Sequence, residues 1–70
     1  MAEDELLAGM AEDELIDAIR ETIIFLRMAM AELRQIAARS EPEVARELRH
    51  MADQCEAEAN AFSERFGIAP

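Results

Sequence analysis

The sequence has no tryptophan, no tyrosine and no lysine, and only one cysteine, one histidine, two glycines and two prolines in 70 residues. Each scarcity excludes something. A single thiol, Cys55, cannot form an intrachain disulfide and fits a reducing compartment, so the expected location is the cytoplasm. Without a glycine-rich loop there is no cradle for a nucleotide phosphate. Without Tyr or Trp, common stacking and hot-spot groups are missing. No Ser/His/Asp or Cys/His set with a plausible second partner is present, which speaks against an enzyme and against any cofactor. No apolar run approaches the roughly 18–20 residues that span a membrane. The acidic N-terminus lacks the cationic start of a signal peptide.

What is present is acid, alanine and a heptad. Sixteen Asp and Glu against seven Arg leave a net charge of −9. That balance argues against nucleic-acid binding, which needs cations to neutralise phosphates, and suits a basic protein partner. Residues 1–14 and 40–70 carry most of the acid, whereas 15–39 are near neutrality. The neutral zone coincides with the most apolar stretch. There, Ile16, Ile19, Ile23, Leu26, Met30, Leu33 and Ala37 recur at alternating steps of three and four. This is an unbroken a/d stripe on one long helix.

The segment Met1–Leu6 reads MAEDEL, and Met10–Leu15 repeats it. The copies would face opposite ways on one helix, so this is no solenoid repeat. It reads as local duplication, a second translation start or a short acidic docking segment. Gly9 weakens helix continuity, so residues 1–10 are expected to be a flexible or frayed acidic segment.

Helix 1 is expected over about 11–39, with Glu12, Asp13 and Glu14 at the positive end of its dipole. The run Ser40-Glu41-Pro42-Glu43 reads as a capping box, with Ser40 as N-cap and Pro42 in the first turn. Helix 2 then runs over about 41–66. Gly67 is its left-handed terminus, and residues 68–70 are a tail. A connection this short makes the helices antiparallel neighbours. Folding there pairs Ala37 with Val44, Leu33 with Leu48, Met30 with Met51, Leu26 with Cys55 and Ile19 with Phe62. Every layer is apolar on both sides. The exception sets Ile23 opposite Glu58, so Ala59 is expected to turn inward and Glu58 outward, towards an Arg. Arg20, Arg27 and Arg34 should lie across the row Ala45, Ala52, Ala59 with their heads in water.

Helix 1 carries more apolar surface than one partner helix covers. Ile24, Phe25 and Met28 lie away from the stripe, and Leu15, Ala29 and Ile36 widen it. A helix apolar all round is buried all round. A chain this short rarely draws more than roughly 3–5 kcal/mol from one core. The expected fold is therefore all-α: an antiparallel two-helix hairpin dimerising into a four-helix bundle. Its oligomer interface is expected to comprise Leu15, Ile16, Ile19, Ile23, Ile24, Phe25, Leu26, Met28, Met30, Leu33 and Ile36.

Two arrangements bear on chemistry. Glu47-Leu-Arg-His50 has the Glu-x-x-His spacing of di-iron bundles. It resembles the helical hairpins of encapsulated ferritins, which would imply a metal-binding hairpin. Those sites need inward carboxylates on both helices, and here Glu47, His50, Glu21 and Glu32 point outward, so no metal site is expected. The layout over roughly 15–67 also resembles the Rop family of plasmid-copy-number proteins. The likeness rests on two heptad helices, a tight loop, a core Cys55, the run Phe25-Leu26-Arg27 and the ending Arg65-Phe66-Gly67. It implies a dimeric antiparallel four-helix bundle and, as an alternative function, an RNA-binding regulator. The corresponding RNA-facing positions here include Glu14, Glu21, Ala29 and Ile36, a departure from a cationic surface.

The expected function is a small, acidic, non-enzymatic homo-oligomer acting as a protein–protein interaction or regulatory module. Inhibition of a basic or nucleic-acid-binding partner is its specific variant. Glu12, Asp13, Glu14, Glu41, Glu43, Glu56, Glu58 and Glu64 are the expected partner-facing acids.

Overall fold

Three acids in its first turn open a 26-residue helix, α1, over Glu12–Ala37. The second helix, α2, spans Pro42–Phe66. The computed structural model describes residues 11–68; the MAEDEL duplication and the N-terminal segment lie outside the described residues, apart from 11–15. Among the described residues there is no strand. The helices pack on each other. Their direction follows from two cross-helix bonds: Arg27 Nη2 donates to Asn60 Oδ1 at 3.2 Å, and Arg34 Nη2 to Asp53 Oδ1 at 3.1 Å. Partners rise on α1 as they fall on α2, so the hairpin is antiparallel.

The junction differs from the capping box read in the sequence. Ala38, Arg39 and Ser40 close α1 with N–H bonds to Arg34, Ile36 and Ala37 carbonyls. The Ser40 hydroxyl donates back to the Ile36 carbonyl at 2.7 Å. Ser40 therefore finishes α1, and Arg39 lies beyond the helix. The N-cap of α2 is Glu41, extended at φ −63°, ψ 154°, with no side-chain cap bond. Proline is the physical reason. Pro42 at the first helical position pushes the residue before it out of helical geometry, which is the N-cap conformation.

α2 ends as expected at Gly67, left-handed at φ 65°. The chain beyond it is not a tail at Ile68. Ile68 is 8% exposed and joins Ile19, Ile23 and Ala59 in the core cluster, against Leu15, Ile16, Leu26 and Phe62. Its N–H bonds to the Ser63 carbonyl, the wider loop of a Schellman ending, which brings an apolar residue back over the last turn.

The seam also differs from the expected register. α2 buries Ala45, Ala52, Ala59 and Ser63 against α1, while Val44 and Met51 remain 49% exposed. The pairs Ala37–Val44 and Met30–Met51 are thus not buried layers; α2 is turned by about one residue. Leu48, Cys55 and Phe62 are only half-buried. Ala59 makes room for the Ile19 and Ile23 side chains, whereas large side chains on both helices would hold the axes apart. At Glu58 the expected rotation is met, since Ala59 turns inward and Glu58 is exposed, but the arginines that reach across the seam bond Asn60, Asp53 and Glu56 rather than Glu58.

Candidate interaction surface

Rotation of α2 onto its alanine row divides the hairpin into two unlike sides. One side is polar. Arg34 sits 3.1 Å from Asp53 and 3.5 Å from Glu56, and Arg27 reaches Asn60. The arginines do not simply lie over the alanines. They flank the seam, and two of the three are drawn to polar groups of α2. Arg20 pairs instead within its own helix, with Asp17 at 3.2 Å.

The other side is apolar. Val44, Leu48, Met51, Cys55 and Phe62 form the stripe of α2 that the seam leaves half-open. Phe66 stacks on Phe62, centroids 6.3 Å apart, and extends it by one turn. On α1 the matching flank is Leu15, Ala18, Thr22, Phe25, Ala29 and Ile36. Phe25 is 72% exposed. The Thr22 hydroxyl donates to the Ala18 carbonyl at 2.9 Å, so this position presents its methyl without an unmet polar group. No large side chain among the described residues is fully buried.

The residues read as one interface from the sequence fall into three places. Ile19 and Ile23 are buried inside a single hairpin, with Leu15, Ile16 and Leu26 packed against their cluster. Met30 and Leu33 are half-buried along the seam, and Phe25 and Ile36 border the apolar side. Ile24 and Met28 lie elsewhere. At about 100° per residue they fall on the back of α1, roughly 110–150° from the direction the apolar side faces. Both are exposed.

The acids do not form a single face. Glu12, Asp13 and Glu14 sit in the first turn of α1, and Glu43 in that of α2 behind Glu41. The antiparallel arrangement puts these turns at opposite ends. Glu58 and Glu64 are exposed along α2, and Glu56 is half-buried beside Arg34 rather than turned to a partner.

Glu47 and His50 are exposed, and with Arg46 and Met51 line a shallow surface groove. His50 Nε2 lies 3.4 Å from Gln54 Nε2. Among the described residues, no group of three or more His, Cys, Asp or Glu comes together as a metal site. Cys55 is a free thiol. No helix among them is long and apolar enough to cross a membrane. The signal missed in the sequence was the alanine row itself, Ala45, Ala52 and Ala59 at steps of seven, small enough to seat α1 closely. No protein-family model, curated protein or solved structure matches this chain.

Proposed function

We propose that this chain is a small acidic interaction or regulatory module, cytoplasmic and without catalytic activity, that works as a homo-oligomer. A twofold dimer forming a four-helix bundle is its simplest form. The observation that supports this is the combination, among the described residues, of a hairpin burying no large side chain completely with Phe25, Ile36, Val44, Met51 and Phe66 left exposed along one side. An isolated chain with that much oily surface would aggregate. A second copy converts the half-buried stripe into core.

Ile24 and Met28, on the back of α1, stay outside such a pairing and anchor a protein partner. The exposed acids around the bundle favour a basic one, and blocking a nucleic-acid-binding protein is the specific regulatory form. Engagement of Arg27 and Arg34 by Asn60, Asp53 and Glu56 weighs against the RNA-binding reading, since these cations are already partnered. Sedimentation equilibrium across a dilution series tests the assembly. The expected result is a dimer whose thermal midpoint rises with concentration. A compact monomer with a concentration-independent, cooperative melt overturns the proposal.

A further inference from the structure

We draw no further inference here: the strongest candidate, the shallow groove on the first turns of α2 lined by Arg46, Arg49, His50 and Asp53, is an exposed surface patch in which Asp53, with Glu47 in the adjoining groove, offsets the two arginines, so nothing in the structure shows what would bind there.

Discussion

The Ile68 N–H donates to the Ser63 carbonyl at 2.9 Å, and this bond fastens the end of α2 back onto the hairpin core. The reversal depends on Gly67 at φ 65°, where a Cβ would meet nothing within 4 Å. Gly67→Ala should therefore cost about 1–2 kcal/mol, from left-handed backbone strain alone. Ile68→Ala should cost about 2 kcal/mol or more, because a buried aliphatic side chain leaves the cluster. Urea denaturation measures both. Were Ile68 a free tail, its replacement would fall within about 0.5 kcal/mol of wild type.

Ser63 presents the opposite case. Its side-chain oxygen is buried and has no hydrogen-bond partner. A desolvated hydroxyl without a bond costs about 1–3 kcal/mol, while the seam at Ser63 needs only a small side chain. Ser63→Ala should raise stability by about 1 kcal/mol and the thermal midpoint with it. A lower midpoint would mean that the hydroxyl is bonded in solution.

Ala52 is fully buried in the seam, next in sequence to the half-exposed Met51. Ala52→Leu forces extra carbon between closely spaced helices and should destabilise by about 1–3 kcal/mol. Met51→Leu conserves volume and should cost less than about 1.5 kcal/mol. Equal tolerance at both positions would mean that α2 faces α1 with the Val44–Met51 stripe after all.

That contrast also marks how far the sequence was legible. The stripe through Ile16, Ile19 and Ile23 is legible because it alone runs the length of α1 without a polar residue. α2 carries two stripes one residue apart: Ala45, Ala52, Ala59, and Val44, Met51, Glu58. Hydrophobicity favours the larger side chains, but close packing of the two helices favours the smaller, and packing prevails. Ile68 was concealed for a related reason. An apolar residue just past a left-handed glycine is a Schellman contact, yet in sequence it resembles a tail. Glu47 and His50 carry a metal-like spacing, but spacing on one helix does not bring carboxylates from the other.

Ser40 shows the same conflict between a local motif and its surroundings, and yields its own prediction. A capping box would make Ser40→Ala loosen the start of α2. In the structure the hydroxyl instead bonds the Ile36 carbonyl. The substitution should cost about 0.5–1.5 kcal/mol, as for one hydrogen bond. Faster amide exchange should appear in the last turn of α1, at Ala37–Ser40. Loss of protection at Glu43, whose amide a Ser40 cap would bond, would restore the capping box.

The two apolar regions outside the core make separable predictions about assembly. Met51 lies on the open side shared by both helices, whereas Ile24 lies on the back of α1, and each is about half exposed in the single hairpin. Replacement by glutamine keeps helix propensity and charge nearly constant while removing apolar area. Burying a side chain of this size stabilises by about 1.5–3 kcal/mol, and about 1.4 kcal/mol is a tenfold change in affinity. Met51→Gln should therefore weaken self-association by about tenfold or more. Ile24→Gln should leave it within about twofold, because its position faces away from the second copy. Sedimentation of both variants under the same conditions distinguishes the surfaces. Equal weakening would place Ile24 inside the interface and require the copies to wrap around α1 rather than meet on one side.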